Sequence, residues 1–225
     1  SCFIVAATNM ANKGIVSSYD KPYFGKADNR WVYSVGTIPD RTVCYESCFM
    51  AYLNSGETAL TTLRTGFTNK KNSFYGRSST TGGMNWFIKG NGTDRSFVTD
   101  MSKGELGDIV FMGEPGDMEG HAVLLASDIA ISTIDRDGGK VEVATFYALS
   151  TTSDTDPDSY GGRTFTFEKQ SDGSWVQQGG QSYTFNGFGQ MHNVPATEQQ
   201  KQDVRKAIER LQNPNSKPDD SNEDE

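Results

Sequence analysis

The sequence predicts an α+β domain in which a helix in the first half packs on a run of antiparallel strands and a second helix closes the chain. Three observations lead to this class. In IPDRTVCYESCFMAYLNSG the residues Val43, Cys44, Cys48, Ala51, Tyr52 and Leu53 fall at helical spacing. Phe165 and Phe167 alternate, then SDG, then Trp175 and Val176, which is an antiparallel signature. Near the end, Val204, Ile208 and Leu211 share one face of a helix over residues 197–212.

Residues 1–40 combine a short apolar start, the polar run SSYDKPYFGKADNR and the alternating WVYSVG, and are expected to wrap as an arm around a core formed later. The first helix takes Asp40 or Thr42 as its cap and Gly56 as its stop. A further short helix is expected over residues 57–63. Residues 65–93 read as loop through TNKKNSF, GRSSTTGG and KGNGT, interrupted by MNWFI, which is too short to classify. Strands follow over residues 103–113 (after a turn), 120–127 and 140–149, with DRDGG as the turn before the third. TTSDTDPDSYGG is a polar connector, and RTFTFEKQSDGSWVQQGGQSYTF reads as an outer hairpin. FGQMHNVPA is coil-like, and the last helix begins after Pro195 with Thr197 as its cap.

With 225 residues the chain suits one domain, assigned to residues 1–212, followed by a disordered acidic tail over residues 213–225. That tail holds five acids and one lysine, about half of the net charge of -8. The body carries no Lys/Arg-rich stripe interleaved with aromatics, which argues against nucleic acid as a partner. No apolar run approaches 18 residues, so no membrane span is expected. CFIVAA is too short for a signal peptide, yet a chain that starts at Ser1 reads as processed, and a secreted or periplasmic location is expected. The three cysteines, Cys2, Cys44 and Cys48, do not form a disulfide framework, and the pairing of Cys2 with Cys44 or Cys48 stays open.

Cys44 lies in the first turn of its helix, where unsatisfied N–H groups and aligned peptide dipoles stabilise a thiolate. A thiolate needs a proton acceptor, and the chain has two histidines. His121 opens the apolar strand AVLLAS and is placed to face a cleft at the sheet edge, whereas His192 lies in coil. Cys48, one turn on, is expected in the core, and Asp108 is expected to bond backbone within the GD turn. Two histidines 71 positions apart without paired CxxC give no zinc pattern, DTDPD and DRDGG lack the full calcium-loop spacing, and GRSSTTGG lacks the lysine of a phosphate loop. No metal or cofactor is expected.

The order TVCYESCFMAYL, then GELGDIVFM, then GHAVLLASD resembles the NlpC/P60 and CHAP branches of the papain-like cysteine peptidases and amidases, over about residues 40–149. The resemblance implies a papain-like core with a nucleophile-bearing helix packed on an antiparallel sheet. It implies Cys44 as nucleophile, His121 as general base, and a third polar residue on the next strand within residues 140–147. Glu142 and Thr145 are the candidates there; their opposite parity lets only one face the histidine, Glu142 having the better chemistry and Thr145 the better register. The implied activity is cysteine-dependent amide hydrolysis, with peptidoglycan peptide as leading substrate. An antibacterial effector or toxin domain, met by a protein inhibitor or immunity partner, is the implied setting. The alternatives are a protease, deamidase or acyltransferase using the same pair, and a non-enzymatic, secreted β-rich binding module with structural cysteines.

Overall fold

A computed structural model of the protein describes residues 7–8, 16–17, 41–42, 44, 47–48, 51, 83–90, 92, 94–113, 120–152, 159–192 and 197–212. Ten strands are described: β1 (Val16–Ser17), β2 (Arg41–Thr42), β3 (Arg95–Val98), β4 (Ile109–Gly113), β5 (Gly120–Leu125), β6 (Ala130–Arg136), β7 (Gly139–Thr152), β8 (Ser159–Lys169), β9 (Trp175–Gln177) and β10 (Thr184–Met191). Two helices accompany them, α1 (Gly83–Gly90) and α2 (Glu198–Gln212), with a single 3-10 turn at Met101–Lys103. Cys44, Ser47, Cys48 and Ala51 are also helical, in agreement with the helix read from the sequence there. The expected helix over residues 57–63 and the acidic tail lie outside the described residues.

Six strands close on themselves. β4 pairs β5, β5 pairs β7, β7 pairs β8, β8 pairs β9, β9 pairs β10 and β10 returns to β4, every pairing antiparallel. β6 extends the wall from β7, β3 lies beside β10, and β1 flanks β8 with β2 parallel beyond it. The protein is therefore a closed six-stranded antiparallel barrel with short additions, and the expected α+β papain-like arrangement of a helix on a sheet is corrected.

The physical reason lies in β10, whose second half, FGQM, reads as coil. It is the stave that joins the supposed outer hairpin, β8 and β9, to β4, so the hairpin is barrel wall. Gly187, at φ 152, sits in a bulge between Phe185 and Gly187 that bends this strand, as closure requires. Phe97's ring lies where a side chain at Gly187 would go, and Phe87's ring does the same at Gly189. These glycines mark close ring approach, not loop.

The barrel interior takes alternate residues from each strand: Val110 and Met112, Val123 and Leu125, Ala144, Phe146 and Ala148, Phe165 and Phe167, Phe185 and Phe188. Phe146 stacks on Phe165 at 5.7 Å and on Phe167 at 5.8 Å. Burial of such a ring contributes about 1.5–3 kcal/mol. Outside the wall, MNWFI forms part of α1, whose Phe87 meets Phe111 edge-on at 6.0 Å. Arg95 of β3 anchors α1, its Nε donating to the Trp86 carbonyl at 2.6 Å and its guanidinium lying over the Trp86 ring.

Helix α2 begins with a reciprocal cap. Gln200 N donates to Thr197 Oγ1 at 3.1 Å, and Thr197 N donates to Gln200 Oε1 at 2.9 Å. Val204 and Ile208 are buried, and the helix docks beside β8. β6 escapes sequence reading for the opposite reason: it is exposed on both faces, so Ile131 and Ile134 mark no alternation. Asp137 at φ 42 and Gly138 at φ 84 form the two-residue turn into β7.

Candidate functional site at the barrel mouth

The site is built on β5. Gly120 starts this strand because the Met112 carbonyl occupies the space a Cβ would need. His121 pairs with Met112 and shares parity with Val123 and Leu125, so its ring turns to the inner face of the barrel near the end of the β4–β5 pair. The sequence placed that ring at an open sheet edge; closure of the barrel makes the position a mouth.

Ser150 of β7 holds the ring. Leu124 pairs with Leu149 and Leu125 with Ala148, and this register brings Ser150 diagonally to His121 on the inner face. His121 Nε2 and the buried Ser150 Oγ are 2.7 Å apart. Tyr183 stacks on the imidazole at 6.4 Å and Phe165 lies 6.3 Å from it. Arg163 of β8 flanks the same Phe165 ring, its guanidinium carbon 5.7 Å from the centroid. Burial first, and the Arg163 charge second, push the His121 pKa down to about 4. The ring is neutral at pH 7. Either partner of this contact can donate; in the tautomer whose Nε2–H donates to Ser150, Nδ1 carries the basic lone pair.

The next stave leaves space. Gly161 pairs with Ser150 across β7 and β8, and a Cβ built on it meets nothing within 4 Å. Its neighbour Gly162 differs, because the Tyr147 phenol lies against it on the outer side of the wall.

The structure does not bring Glu142 or Thr145 to His121. Glu142 pairs with Thr133 of β6 and makes a half-exposed ion pair with Lys169 at 3.2 Å. Thr145 lies between Ala130 and Thr166, its Oγ1 3.5 Å from that of Thr166. They precede Ser150 by eight and five residues, about 26 and 16 Å along a strand at roughly 3.3 Å per residue. The polar neighbour of His121 on β7 lies beyond both positions because the first half of β7 pairs with β6 and only its second half reaches β5. Ser150 shares Glu142's parity, the one signal that pointed to it.

Cys44 and Cys48 are buried and neither is in a disulfide. Ser47 Oγ donates to the Cys44 carbonyl at 2.6 Å. Burial, then the proximity of Cys44, pushes the Cys48 thiol well above its ordinary value, which makes it a poor nucleophile. The described hydrogen bond of His121 goes to Ser150 and not to Cys44. His192 lies toward the other end of β10, its Nε2 2.6 Å from Ser96 Oγ. Asp108 closes its turn, Oδ2 accepting from Glu105 N at 2.7 Å and from Gln190 Nε2 at 2.9 Å. Among the described residues no cluster of three or more His, Cys, Asp or Glu is placed to hold a metal ion, and no helix is long and apolar enough to cross a membrane.

Fold and site together define a closed antiparallel barrel with a neutral, serine-bound histidine at its mouth. Comparison with known proteins finds no matching family model, no matching curated protein and no matching solved structure.

Proposed function

We propose that the protein is a cysteine-dependent amide hydrolase in which His121 moves the proton and Ser150 holds the imidazole in its working tautomer. The observation that carries this reading is the His121 Nε2–Ser150 Oγ contact at 2.7 Å, which fixes a ring kept neutral at physiological pH. The order of Cys44 on a helix, the GELGDIVFM strand and the GHAVLLASD strand supports the thiol as its partner.

The Cys44 sulfur forms a bond to the amide carbonyl carbon while its proton passes to Nδ1 of His121. The tetrahedral oxyanion collapses, the C–N bond breaks, and the leaving amine takes that proton. Water, deprotonated by His121, then attacks the thioester and releases the acid and Cys44. Bacterial cell-wall peptide, met outside the producing cell by a secreted effector, is the first substrate to screen, and a dedicated protein inhibitor would be its natural partner. Protein substrates and amine acceptors come next, since protease, deamidase and acyltransferase share this chemistry.

A second reading has its own support. Cys44 is only 3% exposed, which suits the structural cysteine of a non-enzymatic binding module. Iodoacetamide labelling resolved by site and by pH separates the two. Selective alkylation of Cys44 well below pH 8, weakened in His121→Ala, is the outcome for the hydrolase. Slow, equal labelling of the thiols, unchanged in His121→Ala, sinks it and leaves the binding module.

A further inference from the structure

We propose that the outer edge of β6 is a dimer interface, on which β6 of a second copy of this chain adds antiparallel so that the two barrels share one continuous sheet.

The edge is open along its length. β6 continues along β7 from where β5 leaves off, and among the described residues no strand pairs with its other side. All seven of its residues are exposed, and two of the three exposed large hydrophobic side chains among the described residues, Ile131 and Ile134, stand on it. The two-residue turn at Asp137 and Gly138 makes Arg136 and Gly139 the closing hydrogen-bonded pair of the β6–β7 hairpin. Alternation from that pair turns the N–H and C=O groups of Ile131, Thr133 and Asp135 outward, and such a row is matched in spacing and direction by another extended chain. Natural edges are commonly guarded by proline, lysine or a bulge. AISTIDR has none of these, and its register with β7 runs unbroken from Ala130 opposite Thr145 to Arg136 opposite Gly139.

The strand is also complementary to itself. A two-fold axis at Ile134 sets Thr133 opposite Asp135 of the second copy, and the reverse, as hydrogen-bonded pairs that supply about four backbone bonds. Ile134 then meets its own copy in the closer, non-hydrogen-bonded kind of pair, with Cβ atoms about 4.5–5.5 Å apart. Val141 is the β7 neighbour of Ile134 on the same face, so the pairing makes an apolar row from Val141 through both isoleucines to the second Val141. Ser132 falls opposite Arg136, and no like charges are opposed. An axis one residue earlier sets Ile134 against Ser132, and an axis one residue later sets Asp135 against Asp135, so Ile134 is the favoured centre. A contact of two short strands buries less than the roughly 1,600 Å² of a standard interface, so the dimer is weak and forms as concentration rises. β6 lies beyond the Asp108 end of β5, away from His121, and the interface does not depend on the hydrolase reading.

Sedimentation equilibrium of the full chain over a wide range of concentration is the test, and the expected result is a reversible monomer–dimer equilibrium. Thr133→Pro removes an outward N–H and leaves the β6–β7 bonds in place, whereas Ile134→Lys opposes two like charges across the axis. Each weakens dimerisation about ten-fold or more, while circular dichroism shows that the fold persists. Mild oxidation of Ile134→Cys links two chains beyond the level seen with the parent, and Ile131→Cys, whose copies lie roughly 20 Å apart in this register, does not. A dimer indifferent to both Thr133→Pro and Ile134→Lys in folded variants, or equal cross-linking through Ile131→Cys and Ile134→Cys, overturns the proposal. A chain that is monomeric at every concentration overturns it as well and leaves the edge to a strand of a different protein.

Discussion

The two ends of the β4–β5 pair treat a titratable side chain in opposite ways. At one end Asp108 is buried, pinned by Glu105 N and Gln190 Nε2, and Gln190 also donates to the Lys103 carbonyl at 2.9 Å. At the other end His121 has one hydrogen bond, to Ser150, and a stave across the wall that leaves open space at Gly161. Burial suppresses charge at both, raising Asp108 to about 7 and lowering His121 to about 4. The difference lies in what surrounds the neutral group. The Asp108 end spends its polar atoms on backbone and is a structural plug; the His121 end keeps a basic nitrogen and room beside it, as chemistry or binding needs.

The largest expected effect follows from Asp108. Its folded pKa lies above the 3.8 of a free carboxyl, so its contribution to stability is full below about pH 3.8 and is lost as pH rises to about 7. About three pKa units correspond to roughly 4 kcal/mol at most, as an order of magnitude. Asp108→Asn keeps an acceptor for both donors without the charge, so denaturant unfolding should show the variant several kcal/mol more stable than the parent at pH 8 and close to it at pH 4. Parallel pH profiles for the two proteins would show that burial does not govern this carboxyl. His121 runs the other way: its folded pKa lies below 6.5, so its contribution is present above pH 6.5 and is lost as pH falls toward 4.

Next comes the plug itself. Gln190→Leu removes a donor to Asp108 and to Lys103 O, and should cost roughly 2–3 kcal/mol because the buried Asp108 carboxyl loses a partner. A loss no larger than that of Ser150→Ala would erase the distinction between a closed and an open end.

Adjacent glycines of β8 sharpen the same contrast across the wall. Gly162→Ala must displace the Tyr147 phenol and should cost about 1–3 kcal/mol by overpacking, whereas Gly161→Ala, one residue away, should be neutral or stabilising by up to about 1 kcal/mol. Equal costs in urea unfolding would mean that the mouth is filled.

How much of this was legible follows from where each signal originates. GELGDIVFM and GHAVLLASD declare β4 and β5, RTFTF declares β8, and Thr197 declares the start of α2, because each is a local pattern of parity or capping. His121 was legible as a residue of β5 for the same reason. Closure was not: it rests on β10 pairing β4, a contact distant in sequence, and the glycines that let Phe87 and Phe97 approach β10 read as loop. β6 carried no period because neither face is buried. Ser150 fell just beyond the window searched, since register along a 14-residue strand shared by two partners on one edge cannot be counted from its start.

Among the substitutions expected to cost stability, the smallest loss belongs to Ser150, and it bears most directly on the open end. Ser150→Ala removes one hydrogen bond from a half-buried ring, a loss of about 0.5–1.5 kcal/mol. Its larger consequence is on the tautomer. Without the hydroxyl, nothing in the described contacts favours the proton on Nε2, and the lone pair is shared between both ring nitrogens. The ring nitrogen shifts of His121 should then move from one dominant neutral tautomer toward a mixture, and Cys44 alkylation at pH 7 should slow several-fold while the fold persists. Ser150→Thr, which keeps the hydroxyl, should restore both. A variant that loses stability but leaves the nitrogen shifts and the alkylation rate unchanged would make Ser150 a packing residue, and the mouth would then differ from the Asp108 plug only in how much space it contains.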